Sequence, residues 1–218
     1  MTEACRTYLG EGHASGILTV THLWEQQHPS CLSTHDAECC IIAREWFSSM
    51  DVSLRDSDRY AGPVWLRERY AWGPNRWPLY WCHAVASSGL DCGALAALAR
   101  HVFSSRGVQA LPVQSVHRFP VHNIRHWVST WEQAGVACEW VSGDLVYHET
   151  CAIRLQGQIR IWDPTDNCWM ADSSYGYGSV VALRIVADDA SVVWEGRELA
   201  TNEWVSSDLT HQPVRVAD

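Results

Sequence analysis

Three side chains in this sequence have the types needed for nucleophilic acyl transfer: Cys92, His148 and Asp163. A cysteine sulfur can attack a carbonyl carbon, a histidine can take up and return the proton, and a carboxylate can orient the imidazole and stabilise its charged form. They lie 56 and 15 residues apart along the chain, so only tertiary structure can bring them together. The chemistry they predict passes through a thioester on Cys92, and it depends on the elements that hold each side chain.

The first of these elements is a helix that begins at the cysteine. Asp91 is a suitable N-cap, the Ala- and Leu-rich segment after it has high helix propensity, and Gly107 is a typical stop. Cys92 would then lie in the first turn, where unpaired backbone N–H groups and the positive end of the helix dipole favour a thiolate over a thiol. We therefore expect an activated nucleophile at this position.

The second element is a β-hairpin that carries the other two side chains. Residues 146–155 and 159–165 are rich in β-branched and aromatic residues, and only Gln156-Gly157-Gln158 separates them. With a two-residue loop, His148 and Asp163 project from the same face of the hairpin, whereas a loop of odd length puts them on opposite faces. Pro164 would end the second strand and leave Asp163 at its terminus.

Together these segments resemble the transglutaminase-like superfamily of cysteine enzymes. The resemblance covers about residues 88–169 and rests on three motifs: Gly89-Leu90-Asp91-Cys92 at a helix start, Tyr147-His148 on one strand, and Trp162-Asp163-Pro164-Thr165 on the next. The chain departs from the family at Glu149-Thr150, where Ala followed by Trp is common.

The resemblance implies a papain-like core in which the nucleophile helix packs on an antiparallel sheet, with Cys92, His148 and Asp163 as the catalytic triad. In the family an upstream aromatic or amide side chain supplies an oxyanion donor beside the cysteine's own N–H. Carried over to this chain, the resemblance makes the indole N–H of a tryptophan the candidate donor, at Trp72, Trp77 or Trp81. The aromatic, proline-punctuated segment 55–81 is suitable material for a substrate groove. For each tryptophan the alternative is a packing role.

The composition predicts a single α+β domain. The chain has 218 residues, of which 47% are hydrophobic; helices are expected mainly in residues 1–80 and around Cys92, and strands mainly in the later part of a catalytic core at 81–200. No stretch approaches the ~18 to 20 apolar residues of a membrane span, and the first residues lack the pattern of a signal peptide. Nine cysteines, an odd number without a regular framework, favour reduced thiols and a cytoplasmic location.

Charge and cysteine spacing narrow the expected partners. A net charge of −9 argues against a nucleic-acid partner, because phosphate binding draws its affinity from concentrated Lys and Arg. Cys31, His35, Cys39 and Cys40 lack the two separated ligand pairs that are usual in zinc sites. We therefore expect neither a metal nor another cofactor, and neither a nucleic-acid nor a membrane partner.

The acyl acceptor is left open by the sequence. Water as acceptor would make the protein a peptidase or amidase, an amine would make it a transglutaminase or amide synthase, and a carbon nucleophile would make it a cyclase. The expected substrate is an amide bond of a peptide or small molecule. One alternative is a carrier-bound thioester in natural-product biosynthesis, and another is a non-catalytic binding module of the same fold.

Sequence patterns also predict the elements around the site. Helices are expected at 14–27, from a capping box of Ser33 and Asp36 through Phe47, and at 122–134. Strands are expected at 109–119, where Pro112 indicates an edge position, and at 136–141, 179–186 and 191–194. A flexible loop is expected at 172–178, and the polar segment from residue 201 is expected to fray.

Overall fold

The computed structural model describes residues 32–33, 36–50, 66, 69–155, 158–169, 179–186, 191–200 and 215–217. The helix expected at 14–27 and the loop expected at 172–178 lie outside this range, as do Cys31 and His35. Within it, the chain mixes helices with an antiparallel sheet, which confirms the predicted α+β class. None of the described helices is long and apolar enough to cross a bilayer.

The described helices are α1 (Ala37–Ser48), α2 (Trp81–Ala86), α3 (Cys92–Ser105) and α4 (Val121–Gln133). The expected capping box at the start of α1 is wrong in its details. Asp36 is the N-cap, and its side chain accepts a hydrogen bond from the Cys39 N–H at 2.7 Å. Ser33 instead forms an isolated bridge with Tyr80. Asp36 takes the role because its carboxylate reaches the third N–H of the helix directly.

In the described part of the chain, one sheet has eight strands: β3 (Ala110–Arg118), β4 (Val141–Ser142), β5 (Leu145–Leu155), β6 (Gln158–Asp163), β7 (Cys168–Trp169), β8 (Ser179–Val186), β9 (Ser191–Ala200) and β10 (Arg215–Ala217). Their order is β10-β9-β8-β3-β5-β6-β7, with β4 also paired to β5. Two further short strands, β1 (Ala71–Trp72) and β2 (Gly89–Leu90), form a separate parallel pair.

Strand β3 lies inside the sheet, so the edge position predicted from Pro112 is wrong. It pairs with β5 along its full length and with β8 from Val113 onward. Pro112 therefore lies just beyond the β8 ladder, where its missing N–H removes no hydrogen bond on that side.

Two other sequence expectations also need correction. Residues 136–140 are not a strand, because only Val141–Ser142 pairs with β5. At the other end of the chain, Arg215–Ala217 forms β10 and pairs with β9, although the polar segment was expected to fray. In both places, whether the residues form a strand depends on backbone pairing with a neighbouring strand. The local pattern of residue types does not predict that pairing.

The core is centred on helix α3. This helix contacts β3, β5 and α1, and ten of its residues are buried. On the sheet, Cys151, Ile153 and Trp162 pack against it within one continuous apolar cluster. A helix buried on nearly every side has little freedom to move, so the position of its first residue, Cys92, is fixed by packing.

Truncating the centre of α3 should therefore cost far more stability than truncating an exposed apolar side chain. Leu98 is fully buried, whereas Ile41 on α1 is 54% exposed. We expect Leu98→Ala to lower the free energy of unfolding by about 2–5 kcal/mol, and Ile41→Ala to change it by less than about 0.5 kcal/mol. Urea unfolding of both variants checks this, and similar losses in the two would contradict the assigned core.

Candidate active site

The start of α3 is held by a short set of hydrogen bonds. The Asp91 carboxylate caps the helix, accepting from the Ala94 N–H at 2.8 Å. Its other oxygen accepts from the indole N–H of Trp77, also at 2.8 Å. Asn75 accepts from the Asp91 N–H at 2.6 Å and donates to the Gly89 carbonyl at 3.2 Å. These bonds connect the segment before α2 to the start of α3. They also confirm Asp91 as the predicted N-cap. The role of Asn75 has no recognisable pattern in the sequence.

The hairpin of β5 and β6 brings His148 and Asp163 together. Leu155 pairs with Gln158, so the connection has two residues, which is the case that puts both side chains on one face. His148 Nε2 lies 2.9 Å from Asp163 Oδ2. The second oxygen, Oδ1, accepts from the Thr165 N–H at 2.8 Å. The carboxylate of Asp163 is therefore fixed at both ends and is almost completely buried.

His148 lies at a break in the pairing along β5. On the side away from β3, β4 pairs with Leu145 and Val146, and β6 pairs from Cys151 onward. Residues 148–150 lie between these two ladders. Cys92, at the start of α3, lies close enough to His148 there for each side chain to change the pKa of the other. Because Asp163 occupies Nε2, Nδ1 is the ring nitrogen left for the sulfur.

The charges around His148 make it a stronger base. Burial alone would lower its pKa, but the Asp163 carboxylate, through its charge and hydrogen bond, and the Cys92 sulfur raise that pKa well above the usual value. The position of the imidazole between a carboxylate and a thiol thus favours its uptake of a proton.

The expectation of an activated thiolate at the helix start is wrong for the resting protein. Burial raises the pKa of Cys92, and the carboxylates of Asp91 and Glu149 raise it further; the hydrogen bond and charge of His148 lower it only in part. Desolvation of the sulfur outweighs the helix terminus here. The thiol must therefore lose its proton before the sulfur can act as a nucleophile.

A chain of buried, hydrogen-bonded polar side chains lies on the face of β5 opposite to His148. The sequence patterns do not predict it. Gln114 donates to the Tyr147 hydroxyl at 2.6 Å, and that hydroxyl donates to Glu149 at 2.8 Å. Burial and the Glu149 charge raise the pKa of Tyr147 well above its usual value. The available signal was Glu149 itself, the one carboxylate in strand β5, next to the candidate histidine.

The three tryptophans proposed as oxyanion donors lie in different places. The Trp77 indole N–H already donates to Asp91. Trp72 pairs with Leu90 beside the helix start, and its indole packs against Trp127, Trp131 and Trp140.

Trp81 does not fit the role of oxyanion donor. Its ring packs against Phe47 and His101, and the His101 ring centroid is 4.4 Å away. His101 follows Cys92 by nine residues in α3, or about 13 Å along the helix. Trp81 is therefore a core residue at the far part of the helix.

Among the described residues, no three His, Cys, Asp or Glu side chains converge as a metal ion would require. Comparisons of the chain with protein-family models, with curated proteins and with solved structures each find no match.

The raised pKa of Cys92 predicts how its alkylation should depend on pH. We expect the rate of reaction with iodoacetamide at Cys92 to rise with pH through the alkaline range, because burial raises the pKa of its thiol and only the thiolate reacts. Asp163→Asn should move the profile to higher pH, since a less basic His148 is less often charged and stabilises the thiolate less. Peptide mass mapping gives the rate at each thiol.

Cys151 provides the internal control for that experiment. It is fully buried, and burial raises the pKa of its thiol, so it should stay unlabelled in the folded protein. A Cys92 rate that is constant from pH 6 to pH 8 would show a preformed thiolate and contradict this description.

Asp91 predicts a pH dependence of stability. Burial raises its pKa from 3.8 to about 6, only partly opposed by hydrogen bonds from Ala94 and Trp77. The folded state thus binds more protons than the unfolded state between these values, and stability is lost as pH rises from about 4 to 6, on the order of 2 kcal/mol. Asp91→Asn removes this loss. Unfolding free energies of both proteins across the window check it, and parallel curves would contradict it.

Proposed function

We propose that this protein is a cysteine-dependent acyl-transfer enzyme with a transglutaminase-like, papain-like core. The observation that carries the proposal is the hydrogen bond between His148 Nε2 and Asp163 at 2.9 Å, with Cys92 near enough to raise the pKa of the same imidazole. A buried helix that starts at the cysteine and packs on the sheet is the layout that the sequence resemblance implies.

In the first half-reaction, the Cys92 sulfur attacks the substrate carbonyl as its proton passes to His148. The Asp163 carboxylate holds the imidazole in one tautomer and stabilises the imidazolium. Charge develops on the carbonyl oxygen beside the start of α3, where the Cys92 N–H has no acceptor within the helix. His148 then returns the proton to the leaving group, which departs and leaves a thioester on Cys92.

In the second half-reaction, an acceptor attacks the thioester and His148 acts as general base. We propose an amide bond of a peptide or small molecule as the acyl donor, with water or an amine as the acceptor. The half-buried tryptophans beside the helix start favour transfer to an amine, since an apolar surface near the thioester limits the access of water. A carrier-bound thioester as donor is the competing proposal.

Turnover of the triad variants tests the proposal. With a library of amide and thioester donors, with and without an added primary amine, we expect Cys92→Ala and His148→Gln each to lower kcat by roughly 10³-fold or more. Because the residues act as one unit, the double variant should be little worse than either single one. Release of ammonia, cleavage products or amine adducts, followed by mass spectrometry, identifies the donor and the acceptor.

Cys151→Ala is the matched control, because this thiol is buried in the same core and takes no part in the proposed chemistry. Its turnover should equal that of the unmodified chain. Activity that persists in Cys92→Ala would rule out the proposed mechanism.

A further inference from the structure

We infer that Ser115 and His117 are positioning residues for His148, an inference that rests on the proposed function. Ser115 lies directly opposite His148 in the β3–β5 register. Its hydroxyl contacts the His148 carbonyl oxygen at 3.3 Å and the His117 Nε2 at 2.8 Å. The ring of His117 lies against that of His148, with centroids 5.7 Å apart and planes at 80°. Ser115 and His117 are both almost fully buried.

The hydroxyl proton of Ser115 settles the tautomer of His117. A carbonyl oxygen can only accept, so the hydroxyl donates to His148 and must accept at its second contact. His117 Nε2 therefore carries the hydrogen and donates to Ser115. The other nitrogen, Nδ1, is buried without a hydrogen-bond partner. The two hydrogen bonds therefore run in one direction: His117 donates to Ser115, and Ser115 donates to the backbone carbonyl of His148.

His117 remains neutral beside the proposed base. Burial and, after it, the charge of His148 lower its pKa to about 3, against a smaller opposite effect of Asp163. A second positive charge at this distance would oppose formation of the His148 imidazolium, whereas a neutral ring does not. On its far side, His117 stacks on Phe119 with centroids 5.9 Å apart, so its ring is held in place as well.

The consequence is that His148 is confined from several directions at once. Asp163 holds the Nε2 nitrogen, Ser115 holds the carbonyl oxygen, and the neutral His117 ring lies against the imidazole. Ser115 and His117 touch neither sulfur nor substrate carbonyl, so they act through His148. If the confinement is lost, the imidazole moves away from Asp163 and loses basicity.

Titration of the His148 ring by NMR tests this, with the shape-conserving variants Ser115→Ala and His117→Phe. We expect each to move the His148 pKa towards its ordinary value by at least about half a unit, and to lower kcat roughly tenfold while KM changes less than about twofold. Val116→Ala is the matched control. It truncates a fully buried side chain on the same strand, facing away from His148, and should leave the titration unchanged.

An unchanged His148 titration in both Ser115→Ala and His117→Phe would overturn the inference and leave the two residues a packing role only. An equal shift in Val116→Ala would overturn it too, because the effect would then reflect general loosening of the core. The titration is read without any substrate, so failure of the proposed function shows separately, as turnover that survives in Cys92→Ala.

Discussion

The candidate site depends on the hydrogen bond between His148 and Asp163 across one hairpin. That bond exists because Leu155 pairs with Gln158, and a slip of one residue would turn Asp163 to the opposite face of the sheet. On its other edge, β5 pairs with β3 along the whole stretch that carries His148. Helix α3 then needs only to present its first residue at the break between β4 and β6 for the sulfur to meet the imidazole.

The sequence predicted most of these parts, because each has a local signal. An N-cap next to an Ala- and Leu-rich run located the start of α3, and two β-branched segments around a glycine located the hairpin. What it missed depends on contacts between distant segments. Pro112 suggests an edge strand. It is tolerated inside the sheet because pairing with β8 begins only at the next residue, Val113. Three other side chains hydrogen-bond to residues that are distant in the sequence, and no local pattern predicts such partners: Asn75, Ser115 and Gln114.

The activation of Cys92 shows the same limit in energetic terms. A helix terminus is a local feature and predicts a lowered pKa, but burial and two neighbouring carboxylates are tertiary features and raise it. In the folded protein the pKa of Cys92 is therefore raised, and that of His148 is raised as well.

Trapping of the acyl-enzyme tests the central claim most directly. The protein reacts briefly with an activated thioester and is then quenched with acid. Mass spectrometry should find one acyl group per chain, attached to Cys92. The Cys92→Ala variant should carry none. Turnover without an acyl group on Cys92, or with the acyl group on another side chain, would contradict the account.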